Sequence, residues 1–225
     1  SKRAQPIDLP AQWMSTGRIQ RRANASVGDG WVLLPHSYGF VDPLHSTGLA
    51  HTLHGVENVI EGVLLPSEVE QASWFQSYQE ALKKEITLVD HLVAISLRCR
   101  HHPELFKAAT MAYFVCTVSS EQEMMNRTLG AQKSHDLQLQ PGSSRNSFMS
   151  AHRKDLQMMA SDVWAMVSDK EMLAQILANK EQSNELIQQI IECVKPFDTI
   201  GLFETHKDGA TWTVKSEIPH TAVSL

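Results

Sequence analysis

The chain has 225 residues, 42% of them hydrophobic and 20% charged, which excludes a disordered or fibrous protein and leaves ample length for a buried core. Its formal net charge of -5 speaks against a general nucleic-acid or anionic-membrane binder, because both need a net basic face. The three cysteines, Cys99, Cys116 and Cys193, are an odd number set far apart, which excludes a disulfide scaffold and points to a reducing, cytoplasmic setting.

The longest apolar run, Ile86 to Leu97, is broken by Asp90 and His91 and is too short to span a bilayer. The opening Ser1-Lys2-Arg3-Ala4-Gln5-Pro6 has no apolar stretch behind it, so no signal peptide is expected. Residues 1–30 are polar and basic, with Lys2, Arg3, Arg18, Arg21 and Arg22 among turn formers. Trp31-Val32-Leu33-Leu34 then reads as a short buried strand that Pro35 ends. Residues 35–48, rich in Gly, Pro and Ser, read as a loop. Behind it Leu49, Leu53, Val56, Val59, Ile60, Val63 and Leu64 recur at helical spacing.

Everything downstream reads as helix. Ser67-x-x-Glu70 is a capping-box pattern, and Phe75, Tyr78, Leu82, Ile86, Val89 and Val93 line one face of a long helix ending near Cys99. His101-His102-Pro103 breaks it. A second helix carries Leu105 to Cys116 and ends near Gly130, and residues 131–149, with Pro141-Gly142, read as a long loop. Further helices hold Leu156 to Met166, Asp169 to Ala178 and Leu186 to Val194. A closing hairpin is expected, with Leu202-Phe203-Glu204 and Thr211-Trp212-Thr213-Val214 flanking Asp208-Gly209.

The stretch at 35–48 carries the specific signal. A loop from a strand into a helix, with Gly in the first turn, exposes backbone N–H groups that lack intrahelical partners. Those groups and the helix dipole attract an electron-rich ligand. Gly48 allows close approach to the backbone, Pro43 stiffens the entry, and Ser46 and Thr47 offer hydroxyls. On spacing alone an ordinary strand-to-helix connection with Ser46 as N-cap accounts for the same residues.

The residues Gly39-Phe40-Val41-Asp42-Pro43-Leu44-His45-Ser46-Thr47-Gly48 resemble the G-F-[VI]-[DE]-P-L-x-[SA]-[ST]-G block of flavin-dependent halogenases and related FAD-dependent oxidoreductases, within the wider p-hydroxybenzoate-hydroxylase-like class. Strict resemblance covers about residues 12–62. It implies that the helix start faces the pyrimidine edge of the flavin, with backbone amides near Thr47 and Gly48 stabilising charge at N1 and O2 and Pro43 beside the ring. The cofactor-binding set it implies is His36, Gly39, Phe40, Asp42, Pro43, Ser46, Thr47, Gly48 and Leu49, with a halide at Thr47 and Gly48 in a halogenase. Pro35-His36 stands where the family has a Gly-Asp whose carboxylate binds the ribityl chain, and His45 replaces the family's frequent Phe or Glu. There is no GxGxxG and no counterpart of the halogenase lysine.

The expected fold is therefore mainly α: a C-terminal strand-loop-helix piece of an FAD-binding α/β fold over residues 1–64, then a helical, substrate-covering domain over 65–225. The implied function is an FAD-dependent oxidoreductase of halogenase or monooxygenase type acting on a small organic substrate, with a flavin reductase as partner. The chain would be a fragment without its nucleotide-binding half, inactive alone. The alternative is a non-catalytic helical binding or assembly module.

Other candidates have plainer readings. His36, His45, His51 and His54 cluster in sequence, with His51 and His54 at i and i+3, but no further ligand completes a metal pattern, so none is assigned. Arg18, Arg21 and Arg22 suit a cofactor phosphate or a carboxylate, or equally a solvated edge, which the base rate of surface charge favours. Met124, Met125, Met158, Met159, Met166 and Met172 suit adaptable packing or an apolar pocket. Cys99 and Cys116 fall on apolar helical faces as inert thiols.

Overall fold

Local signals decide where the helices start. Ser67 is extended at φ -130°, ψ 150°, and its Oγ accepts from Glu70 N at 3.2 Å, satisfying one of the donors a helix start leaves open. The same hydroxyl donates to Glu70 Oε2 at 2.8 Å, so the box closes side chain to side chain. Asp169 and Asn179 each cap a later helix, Asp169 Oδ1 accepting from Glu171 N and Met172 N and Asn179 Oδ1 from Glu181 N and Gln182 N.

The computed structural model describes residues 20–134 and 147–203. Arg18, the closing hairpin around Asp208-Gly209 and residues 135–146 of the long loop lie outside the described residues. In chain order the elements are β1 (Arg21–Arg22), β2 (Val27–Gly28), β3 (Trp31–Val32), α1 (Pro35–Tyr38), β4 (Gly39–Phe40), α2 (Gly48–Val63), α3 (Glu68–Cys99), α4 (Pro103–Ser134), a 3-10 turn at Phe148–Ser150, α5 (Lys154–Val167), α6 (Lys170–Ala178), α7 (Lys180–Val194) and a 3-10 turn at Lys195–Phe197.

The described residues are mostly helical. The 32-residue helix α3 is the spine, packed against α4 and α5, with α7 on α4 and α2 on α3. The buried cluster runs without a break from Tyr38 and Val41, through Leu82, Leu92 and Ile95 of α3, to Ile190 and Val194 of α7. Among the described residues no helix is long and apolar enough to cross a membrane.

Four expectations need correction. Trp31-Leu34 is not a buried strand: only Trp31–Val32 pair, in an antiparallel hairpin with Val27–Gly28, and Trp31 is 48% exposed. The apolar run is too short to reach a sheet interior, and Gly28 sits under the indole instead. Residues 35–48 are not one loop, because Pro35 opens α1 and Gly39–Phe40 pair antiparallel with Arg21–Arg22. Proline at a first helical position loses no needed donor, so it starts a helix as readily as it ends a strand. Ser46 does not cap α2: its φ is +54°, the cap position falls to Thr47, and among the described residues no side chain caps the helix. The end of the 131–149 loop is core, since Phe148 and Met149 are buried and a turn with Met149 at φ 59° drives them inward.

Helix α2 carries the largest departure. An apolar stripe ordinarily faces a core. Here Leu49, Leu53, Ile60, Val63 and Leu64 point outward, while His51, His54, Gly55, Asn58 and Gly62 are buried. The glycines explain why. A Cβ on Gly55 would strike the Pro35 ring and one on Gly62 would strike the Trp74 indole, so small residues let α2 lie close to α1 and α3. Trp74 Nε1 donates to the Asn58 carbonyl at 2.8 Å across the same contact.

Candidate functional site

The motif residues meet at the start of α2 around a cavity of about 150 Å3. Its walls include His36, Gly39, Phe40, Asp42, Pro43, Ser46, Thr47 and Gly48 from the motif region. His51 of α2 and Ile86 and Val89 of α3 close it. Leu49 is the expected site residue that does not line it; its side chain is 73% exposed on the outer face of α2.

The cavity faces unpaired backbone donors. The first helical bond runs from His51 N to Thr47 O at 3.0 Å, so the N–H groups of Gly48, Leu49 and Ala50 precede the intrahelical ladder. With no side-chain cap, they and the positive end of the helix dipole are left for a ligand. Gly48 lies against the His36 ring, and any Cβ there would run into the imidazole. Asp42 is turned to its own loop, its Oδ1 accepting from Leu44 N at 2.9 Å.

Two contacts tie the loop to the helical body. The Thr47 hydroxyl hydrogen-bonds the Tyr113 hydroxyl of α4. His45 Nε2 lies 3.0 Å from Ser96 Oγ of α3, and its ring rests on Tyr113 with centroids 4.0 Å apart. The histidine that departs from the family pattern is thus an anchor between the motif and the helices. Ser96 Oγ also donates to Leu92 O at 3.1 Å, which leaves it free to accept from a neutral His45 Nε2–H.

Burial lowers the pKa of His45 below its usual 6.5, against an opposing pull from Asp42. Burial also lowers that of His36, helped by His51 and Arg21 nearby. Both rings bind a proton less readily folded than unfolded, so protonation favours unfolding. Their contribution is complete above the unfolded value of 6.5 and is lost as pH falls below it toward the depressed folded values. The thermal midpoint is therefore expected to fall between about pH 7 and pH 5, before most carboxylates titrate, and to fall less in His45→Gln. A midpoint flat over that interval in the parent chain would contradict the assignment.

Spacing pointed to His51 only as a metal ligand or a surface or core histidine, yet it forms the most buried polar contact of the site. Its Nε2 lies 2.9 Å from Glu85 Oε2, both side chains 5% exposed. Glu85 Oε1 accepts from Phe148 N at 2.9 Å, and the His51 ring stacks on Phe148 at 4.4 Å and 11°. One carboxylate thereby joins α2, α3 and the 148–150 turn. Two signals in the sequence mark it: polar His51, His54 and Asn58 share one side of α2, and Glu85 interrupts the apolar face of α3 between Leu82 and Ile86.

The remaining candidates separate. Arg21 and Arg22 are exposed on the β1 edge, with Arg21 Nη2 reaching the His36 carbonyl at 3.4 Å. His54 pairs with Asn58, His51 with Glu85 and His45 with Ser96, so these three histidines hydrogen-bond different partners. Among the described residues no group of three or more His, Cys, Asp or Glu stands together as a metal site. Met159 is in the core while Met125, Met158 and Met172 are exposed, so the methionines do not line a common pocket. Burial pushes the Cys99 and Cys116 thiols up to about 12, which makes both poor nucleophiles.

Residues 7–109 match the family model of tryptophan halogenases. The chain is 44% identical over 41 residues to the tetracycline 7-halogenase of Kitasatospora aureofaciens, a match covering 18% of this chain and 7% of that protein. It is 50% identical over 40 residues to the monodechloroaminopyrrolnitrin halogenase PrnC of Pseudomonas fluorescens, again 18% of this chain and 7% of that one. Its fold resembles the crystal structure of halogenase PltM, with a TM-score of 0.65 and 18% identity over 82% of this chain and 38% of that chain. The complex of PltM with ethyl mercury and mercury agrees, at a TM-score of 0.65 and 19% identity. The chain thus spans well under half of the solved halogenase; residues 7–109 are similar in sequence to the tryptophan-halogenase model, and the fold is similar to part of PltM.

Proposed function

We propose that this chain is the ring-facing and helical part of an FAD-dependent, halogenase-like oxidoreductase acting on a small organic substrate. The observation that carries the reading is that the Gly39–Gly48 motif closes a cavity on the uncapped start of a 16-residue helix. The cavity, about 150 Å3, is smaller than the roughly 300–1,000 Å3 of whole-ligand pockets, so it fits one edge of a planar ring and leaves the rest to be covered from outside.

The residues suit that edge. The N–H groups of Gly48 and Leu49 would donate to the N1 and O2 side of the flavin, where reduction places negative charge. Pro43 would pack beside the ring, and the Thr47–Gly48 backbone would hold a halide, since the Thr47 hydroxyl is already engaged by Tyr113. When bound, FAD supplies the redox chemistry with oxygen that a halogenase or monooxygenase directs at its substrate, with a flavin reductase delivering electrons. Asp42 and Ser46 shape the turn, and His45 and Thr47 hold it against α3 and α4. His36, Gly39 and Phe40 form the near wall.

The outward face of α2 supports the same reading. It starts at Leu49, beside the cavity, and exposes Leu53, Ile60, Val63 and Leu64 by 53–68%. An apolar face of this kind is usually covered. A nucleotide-binding region, for which this chain has no glycine fingerprint, would cover it and complete the ring pocket at the same time.

The test is flavin binding by the polypeptide that carries both regions. It should purify with FAD, and Gly48→Val should weaken FAD binding by about tenfold or more, roughly 1.4 kcal/mol, while circular dichroism stays unchanged. Undiminished affinity in a folded variant removes the site assignment. Protein that stays colourless in added FAD leaves the helical assembly module as the better reading.

A further inference from the structure

A second site lies on the other side of α3. At 3.6 residues per turn, Ala94 and Arg98 fall opposite Glu85, Val89 and Ser96, and so away from the motif cavity. There α3 faces α5 and α6 across a groove of about 530 Å3. Its floor is apolar, formed by Leu97, Trp164, Leu173 and Leu177, and its charged lining is Arg98, Arg100 and Lys170. Among the described residues no acidic side chain lines it, although the chain as a whole carries a net charge of -5.

Arg98 is the informative residue. Its guanidinium carbon stands 5.5 Å from the centre of the Trp164 ring, and its Nη1 is buried with no hydrogen-bond partner among the described residues. A partly desolvated guanidinium without an acceptor is unfavourable, and an acceptor supplied by a ligand would relieve that cost. The planar fork matches a carboxylate, and stacking on an aromatic ring holds it in orientation. Arg100 Nε donates to His101 Nε2 at 3.0 Å at the groove edge. The groove volume is that of small-molecule sites, which pair an apolar lining with few polar groups.

We infer that this groove binds an organic carboxylate with an aromatic or branched apolar body, its carboxylate on Arg98 and its body on Trp164 and the leucines of α6. Arg100 and Lys170 at the edge draw the anion in. A free inorganic anion would leave the apolar floor unused, and a neutral aromatic would leave Arg98 unpaired. The site stands on its own residues and does not depend on the flavin reading.

The test is calorimetric titration of the 225-residue chain with 2-naphthoate, 2-naphthalenemethanol and acetate. Naphthoate should bind about tenfold or more tighter than the alcohol, and acetate should not compete. Arg98→Gln should lose about tenfold in naphthoate affinity, and Arg98→Lys should recover only part, because a point charge lacks the fork. The Trp164 indole N–H resonance of the parent chain should shift on adding naphthoate, a readout that stands even where an Arg98 variant fails to fold. Equal affinity for acid and alcohol, an undiminished Arg98→Gln, or an unmoved Trp164 resonance overturns the proposal. So does binding to phosphatidylserine vesicles with none to naphthoate, which would make the face a membrane contact.

Discussion

Replacing Glu85 with alanine is expected to destabilise the chain by about 3–5 kcal/mol, read as a shifted urea midpoint at unchanged slope. The reason is geometric. Both carboxyl oxygens of this buried residue are in use, one on His51 and one on the Phe148 amide. Removing it strands a buried imidazole and a buried backbone N–H together, and each orphan carries its own desolvation penalty of about 1–3 kcal/mol. Glu85→Gln keeps an acceptor for Phe148 and should lose less. Glu80→Ala, on the exposed side of the same helix, should stay within about 0.5 kcal/mol. A Glu85→Ala loss below about 1 kcal/mol would falsify the view that this residue joins the motif helix to the helical body.

Leu82→Ala is expected to lose about 2–5 kcal/mol, since the side chain is fully buried in the cluster along α3 and its removal leaves a cavity that the surrounding helices only partly fill. The comparison that gives this force is Leu53→Ala. Leu53 also sits at a helical apolar position, yet it is 60% exposed, and its truncation should change the stability of the chain by about 0.5 kcal/mol or less. Similar losses at the two leucines would mean that α2 is turned the other way, with its apolar stripe inside. Where a nucleotide-binding region covers α2, the same Leu53 substitution should instead weaken that contact, so the two settings together separate a surface residue from an interface residue.

The motif could be read because its residues are contiguous. Gly39 to Gly48 pass through one turn into one helix, so a local pattern describes both the backbone path and the wall of the cavity it forms. The helices α3, α5, α6 and α7 were legible for a similar reason: periodic apolar positions sum over many residues, and caps such as Ser67 act within one turn. The partners of the motif were not. His51 meets Glu85 across 34 positions, His45 meets Ser96 across 51, and Thr47 meets Tyr113 across 66. No periodicity links residues that far apart.

By itself, then, the amino-acid sequence determined a mainly helical chain with one glycine-bearing turn able to present bare amides, because turn chemistry, capping and periodicity are short-range properties. Only the tertiary structure decided which side of α2 faces in. Local pattern says that Leu49, Leu53 and Ile60 share a side, but it does not say what covers them. Small residues at Gly55 and Gly62 and a carboxyl group at Glu85 turned the polar side inward, since close approach and a satisfied buried polar group are relations between elements that no single element contains.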